Sequence, residues 1–333
     1  MGTLQIRLHI SLASLAMFLL KAWRATAFGV YGYHNFTKPG FISLIPLINS
    51  LFCEHAKKFK SEEMEARMEG KNCIVTGANS GLGYATAEGL ASRGANVYMI
   101  CRNKERGEAA LSSKKSTMGN PNLNLEVWDL SSVNEIKSFA SRFSSKDLPL
   151  HVLVNSAGLL EHKQITMPEG CISKLFLCQR TFAMTELMLP LLEKVAPDAQ
   201  VITVSSAGMY TSPLTTDLEY SDANFEGVEQ YARNKRVQVA LTEKWAEVHN
   251  ERGIGFYSMH AGWAEMPSVA KSLPGFSKSL SGKLRTKEEG ADTIIWLALQ
   301  PKDKLVSGAF YFDRGALAPK HLMFAATGDS YTH

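Results

Sequence analysis

The stretch from Asn72 to Arg102 constrains the chain most, because it reads strand, glycine-rich turn, helix and second strand in immediate succession. Cys73 to Val75 is a short apolar run with β-branched members, and the turn Thr76 to Gly83 follows at once. Gly77, Gly81 and Gly83 are spaced G-x-x-x-G-x-G. That spacing frees the backbone to turn tightly, to approach a ligand closely and to seat the next helix on the sheet. The helix then opens with free N–H groups and the positive end of its dipole, which together make an anion site.

A dinucleotide pyrophosphate is the natural occupant of such a turn. The second strand, Val97 to Cys101, ends in Arg102, where a site for NAD usually carries an acid for the ribose hydroxyls. A guanidinium there suits a 2′-phosphate, so NADP is the expected cofactor over NAD.

Downstream, apolar runs recur at Leu123 to Trp128, Val152 to Val154, Val201 to Val204, Phe256 to Met259 and Ala309 to Phe312, with helical stretches between them. Strands alternating with helices predict a parallel sheet covered on both faces. The expected fold is therefore α/β, a Rossmann-type doubly wound parallel sheet in a single domain over 71–333. An amino-terminal apolar extension over 1–70 precedes it. In such sheets ligands sit at the carboxyl ends of the strands, which brings Asp129, Asn155 and Ser205/Ser206 to one crevice.

The 333 residues allow a full core, and an excess of four basic groups is too small and too dispersed for a nucleic-acid surface. Five cysteines show neither metal spacing nor a paired framework, which fits free thiols in a reducing, intracellular compartment. His34, His151, His162 and His260 form no metal pattern. Ile10 to Leu20 and Phe41 to Phe52 are apolar runs that each fall short of the ~18 to 20 residues a membrane-spanning helix needs. A secretory signal, an interfacial anchor or core-covering helices remain open for them. The reading favoured is loose peripheral membrane contact through residues 1–52. Ser61 to Gly70 reads as a charged linker into the first strand.

Tyr231 and Lys235 lie four apart in a helical stretch, so both side chains share one face. An ammonium beside a phenol lowers a pKa that starts near ~10 and makes tyrosine a usable acid or base. Ser206, at the edge of a strand facing the same crevice, is placed to donate to a carbonyl or alkoxide oxygen.

These motifs, in this order, resemble the short-chain dehydrogenase/reductase family over Asn72 to about Phe312, and in detail its member 12-like branch. The resemblance implies that Gly77, Asn79, Ser80, Gly81, Leu82 and Gly83 form the phosphate turn and that Asp129 and Leu130 contact adenine. It implies that Asn155, Ala157, Gly158 and Gly262 also line the cofactor site, and that Ser206, Tyr231 and Lys235 are catalytic, with Tyr231 and Lys235 touching the cofactor too. The implied reaction is hydride transfer between a nicotinamide and a carbonyl or alcohol carbon. Leu159, Leu160, Met209 and Trp263 suggest a lipophilic small-molecule substrate, and a homo-oligomer is compatible with the family.

The chain departs from the family around the nicotinamide end. The family's central helix carries an asparagine that supports a water relaying protons to the lysine, and this chain has no asparagine between Asn155 and Asn224. Segment 171–180 is irregular, and its last three codons read one base later permit Val-Asn-Val, a common family reading, so an altered frame or splice is one explanation. Ala261 stands where the family has proline, Met266 where it has a hydrogen-bonding threonine, and Ser156 where it has a second asparagine. These changes predict cofactor binding that survives better than turnover. The alternative reading they favour is a dinucleotide-binding sensor or scaffold with little catalysis.

Overall fold

The computed structural model describes residues 56–118, 122–158, 160, 165–166, 172–173, 176–212, 214, 226–318 and 320. The apolar runs of residues 1–52, Leu159 and residues 171, 174 and 175 of the irregular segment lie outside them. Among the described residues no helix is long and apolar enough to cross a membrane.

The opening unit forms as its sequence requires. Strand β1 (Asn72–Thr76) leads through the glycine turn into helix α1 (Gly81–Ala91) and strand β2 (Asn96–Cys101). Helix α2 (Lys104–Met118) and strand β3 (Leu123–Val127) follow, then helix α3 (Val133–Ser145) and strand β4 (Val152–Asn155). A small antiparallel pair, β5 (Ile165–Thr166) and β6 (Ile172–Ser173), precedes helix α4 (Phe176–Glu193) and strand β7 (Gln200–Val204). The long helix α5 (Gly227–Val248) and strand β8 (Gly255–His260) come next, and the short helices α6 (Pro267–Ser272) and α7 (Pro274–Ser279) follow. Helix α8 (Lys287–Leu299) and strands β9 (Phe310–Phe312) and β10 (Ala316–Ala318) complete the described order.

The sheet runs β10-β9-β8-β7-β4-β1-β2-β3, parallel from β3 to β9. Only β10, a strand absent from the sequence reading, pairs antiparallel, with Ala318 opposite Phe310. Strand order reverses between β1 and β4, and a crevice opens at their carboxyl ends.

Alternation along the strands builds two cores. Cys73, Val75, Val97 and Met99 pack with residues of α1, α2 and α8, whereas Ile74, Tyr98, Ile100 and Leu153 pack with residues of α3, α4 and α5. Phe139 and Phe143 of α3 are almost wholly buried beside Tyr98 and Trp128, and burial stabilises each by about 1.5–3 kcal/mol. Cys73 and Cys101 are free, buried thiols, and burial pushes Cys73 up to about 12.

The segment read as a linker is packed onto the domain. Ser61–Met64 forms a 3-10 turn, Trp296 donates to Glu63 Oε2 at 2.9 Å, and Met68 joins the first core at 2% exposure. Its charged pattern hid this, because the partners Trp296 and Gln300 lie more than two hundred residues away.

Candidate active site

The turn after β1 owes its shape to missing side chains. Gly77 has φ +68° and Gly81 φ +55°. A Cβ on Gly83 would lie 2.5 Å from the Gly77 carbonyl oxygen, and one on Gly77 would lie 3.0 Å from Ala157 Cα. Strand β4 is held against this turn by Thr76, whose hydroxyl accepts from Ser156 and Ala157 N–H, each at 3.0 Å. Helix α1 starts at Ser80 without a side-chain cap and with no acid in its first turn, so the positive end of its dipole stays uncompensated.

Beyond the turn lies a pocket of about 340 Å³. Gly77, Asn79, Ser80, Gly81, Leu82 and Gly83 line one part of it, with Arg102, Asp129, Leu130, Ala157 and Gly158 beside them. Ser206, Tyr231, Lys235 and Gly262 line another part. Asn155 is not among the lining residues: it is buried, and its amide donates to Thr185 on α4 at 3.1 Å, bracing the strand end from behind.

Arg102, just past the end of β2, is exposed, and Arg106 in the first turn of α2 also lines the pocket. Arg180 reaches the pocket from α4, and the sequence reading missed both arginines as site residues. Burial and the charge of Arg102 pull its guanidinium down to about 9, against the opposing pull of Asp129, so it remains a cation at neutral pH. Asp129 accepts from Ser131 N–H at 2.8 Å, and its own N–H donates to Glu135 at 2.6 Å, which fixes the loop carrying Leu130.

Elsewhere helix α5 begins at Glu226, whose carboxylate caps Val228 and Glu229 and so fixes the turn before Tyr231. The Tyr231 phenol hydrogen-bonds Ser206, and the Ser206 hydroxyl accepts from Gly208 N–H at 3.1 Å. Lys235 is 3% exposed; its Nζ lies 5.5 Å from the Tyr231 ring centroid and donates to Val204 O at 2.7 Å and Gln238 Oε1 at 3.0 Å. The expectation that Lys235 holds the phenol below its usual pKa is not met. Burial pushes Tyr231 up to about 12, and only the Ser206 bond opposes it. The phenol is therefore protonated at neutral pH, ready to act as a donor.

The loop after β8 forms the remaining wall. His260 stacks on Phe312 at 5.4 Å, and burial with the charges of Arg285 and Lys235 pushes it down to about 3, so it is neutral. Arg285 pairs with Asp313 at 2.8 Å and donates to Ala261 O at 3.3 Å. A Cβ on Gly262, which has φ +74°, would collide with that guanidinium at 2.3 Å. Met266 lines the pocket with its sulfur 3.6 Å from where a Cβ on Gly81 would stand. Leu160 and Trp263 face the pocket as expected, and Ser272 of α6 donates to Leu160 O at 2.6 Å. Met209 does not: it is fully buried with Tyr210, Val239 and Phe310.

A dinucleotide fits this arrangement, because the turn leaves room where side chains would stand and arginines line the same pocket. Among the described residues no group of histidine, cysteine or carboxylate side chains is placed to hold a metal.

Known proteins show the same pattern. A family model described as short chain dehydrogenase matches residues 71–273. The chain is 38% identical to bovine dehydrogenase/reductase SDR family member 12 over 312 residues, 92% of this chain and 93% of that protein. It is 28% identical to human retinol dehydrogenase 11 over 83% of this chain and 88% of that one. Among solved structures, an NADPH-bound short chain oxidoreductase from Pseudomonas aeruginosa PAO1 superposes with a TM-score of 0.59 at 22% identity, covering 74% of this chain and 95% of its own. That likeness speaks for the fold.

Proposed function

Since the chain belongs to the short chain dehydrogenase family and is thereby an NAD(P)-dependent oxidoreductase of carbonyl and alcohol groups, we propose that it prefers NADP and acts on a lipophilic small molecule. The observation that carries the cofactor preference is that Arg102, Arg106 and Arg180 all line the pocket, with Arg180 near enough to feel the charge of Arg102. An acid that would bind the ribose 2′-hydroxyl of NAD does not follow β2, and a guanidinium suits a 2′-phosphate. Apolar Leu160, Trp263, Val269 and Leu273 support the lipophilic substrate. The name of the retinol dehydrogenase relative points the same way.

The glycine turn and the start of α1 would hold the pyrophosphate. When bound, the nicotinamide supplies or accepts the hydride. In the direction of reduction the Tyr231 phenol would give its proton to the substrate's carbonyl oxygen, which would become the hydroxyl oxygen of an alcohol. Ser206 orients that oxygen by hydrogen bonding. Lys235, whose ammonium lies 5.5 Å from the Tyr231 ring centroid, would hold the nearby ribose. The high pKa of Tyr231 suits this donor role, since a group protonated at neutral pH begins as the acid.

Fluorescence titration of the full chain with NADPH and NADH tests the preference. Arg102→Ala is expected to weaken NADPH about 10- to 100-fold, as loss of a charge-assisted bond would, and to leave NADH nearly unchanged. Wild-type protein that binds NADH as tightly as NADPH would overturn it. Met266 favours the second reading of a binder with slow turnover, and a Tyr231→Phe protein that reduces carbonyls as fast as wild type would support that reading.

A further inference from the structure

We propose that Gln238 is a positioning residue for Lys235, fixing its ammonium through the side-chain amide and tying it to Thr181 on α4. The inference deepens the proposed function, on which it rests. The resemblance to the family implies that an asparagine on the central helix supports the lysine through a water. None stands between Asn155 and Asn224, and the polar connection from Lys235 to α4 runs through Gln238 instead.

The geometry is closed on each side. Gln238 lies three residues after Lys235 on α5, hence on the same face, and its Oε1 accepts from Lys235 Nζ at 3.0 Å. Its Nε2 donates to Thr181 Oγ1 on α4 at 2.8 Å. An ammonium only donates, so the amide oxygen must face Lys235, and the amide nitrogen is thereby turned to Thr181. Gln238 is 0%, Lys235 3% and Thr181 4% exposed. Water cannot readily replace any of these bonds, and a buried cation short of an acceptor is costly. A neutral acceptor satisfies the ammonium without cancelling its charge, which leaves that charge for the ribose. The bond to Thr181 also keeps the amide from swinging away when α5 is loaded.

Among the described residues, Tyr231 on its own helix and His260 from β8 are titratable groups that face Lys235. Arg180 of α4 faces Asp129 and Arg102 instead. Tyr231, at about 12, and His260, at about 3, titrate outside the alkaline range in which a lysine loses its proton, whereas Arg180, at about 9, titrates within it, so the Lys235 midpoint is the one that Lys235→Met removes.

The test follows NADPH affinity of the full chain from pH ~7 to ~10.5, with thermal melting at each pH. Affinity should fall as Lys235 deprotonates, and Lys235→Met should erase that midpoint. Gln238→Leu, which removes the side-chain acceptor and leaves only the Val204 carbonyl of the two named partners, should move the midpoint down by about one pH unit, and Gln238→Glu, which strengthens that acceptor, should move it up. A merely structural role would lower affinity by the same factor at every pH with the midpoint unmoved, and that result overturns the proposal. Should the leucine variant fail to fold, Gln238→Glu alone decides, an upward shift supporting the proposal and an unmoved midpoint overturning it. Wild-type protein that binds NADPH at no pH would overturn the cofactor reading itself, and this inference with it.

Discussion

Thr76 and Ala157 join the two strands at which the sheet reverses: the threonine hydroxyl accepts the Ala157 N–H at 3.0 Å while also accepting that of Ser156. One side chain at the end of β1 thus sets the position of the loop after β4, on the other side of the crevice. Thr76→Val keeps the shape and removes the acceptor. The Ser156 N–H keeps the Val154 carbonyl at 3.1 Å, but the Ala157 N–H is left unsatisfied, which costs about 1–3 kcal/mol. Urea unfolding should show a loss of that order, NADPH affinity should fall with it, and Thr76→Ser should restore both. An unchanged unfolding midpoint in the valine variant would mean that the Ala157 N–H finds another partner.

Arg285 and Asp313, 2% and 4% exposed, form a buried pair beneath the loop that carries Gly262. Breaking such a pair leaves an uncompensated charge and costs about 3–5 kcal/mol, so Arg285→Leu should lower the unfolding free energy by that amount. Arg285→Lys should not rescue it, since a single ammonium cannot reach both carboxylate oxygens and Ala261 O as the guanidinium does. Equal stability of the lysine variant and wild type in urea would refute the argument.

What could be read in the sequence and what could not divide along a physical line. Local pattern carried the strands, because a run such as Cys73 to Val75 buries both faces wherever it lies in the sheet, and it carried the turn, because Gly77 and Gly83 are demanded by backbone geometry. That Tyr231 and Lys235 share a helix face was legible from their spacing, but only Ser206 at the same crevice singled the pair out. Gln238 obeys the same spacing, but its role depends on Thr181, fifty-seven residues earlier on a different helix. Arg180 reads as the end of an irregular segment until α4 is laid beside the loop of Asp129. Asn155 shows the reverse case: its place at a strand end was correct, yet its side chain is bound to Thr185 behind the pocket.

Met266 stands at the N-cap of α6, extended at φ −136° and ψ 136°, and offers no side-chain bond to the helix. Threonine there would accept from a first-turn N–H, stabilising the protein by about 1 kcal/mol, or roughly 2–4 °C in melting temperature. It would also bring a hydroxyl to the pocket wall beside Gly81, where the methionine sulfur now lies. Met266→Thr is therefore expected to melt higher and to turn over faster with any carbonyl substrate the wild type accepts. Higher stability with unchanged turnover would show that Met266 does not limit the reaction.

His260 supplies the acid sensitivity of the site. Its pKa falls from an ordinary value near ~6.5 in the unfolded chain to about 3 in the folded one, burial being the first cause and the charges of Arg285 and Lys235 the next. Between those values the unfolded chain holds the proton and the folded chain does not, so stability rises with pH through this window and is lost as pH falls. The loss approaches about 1.4 kcal/mol for each pH unit below ~6.5 and levels off near 3. His260→Phe cannot take up a proton and could still stack on Phe312. Urea midpoints followed from neutral pH towards acid should fall less steeply in the variant than in wild type, with the difference vanishing above ~7. Parallel curves would mean that His260 is accommodated as a cation and that other groups set the acid limit.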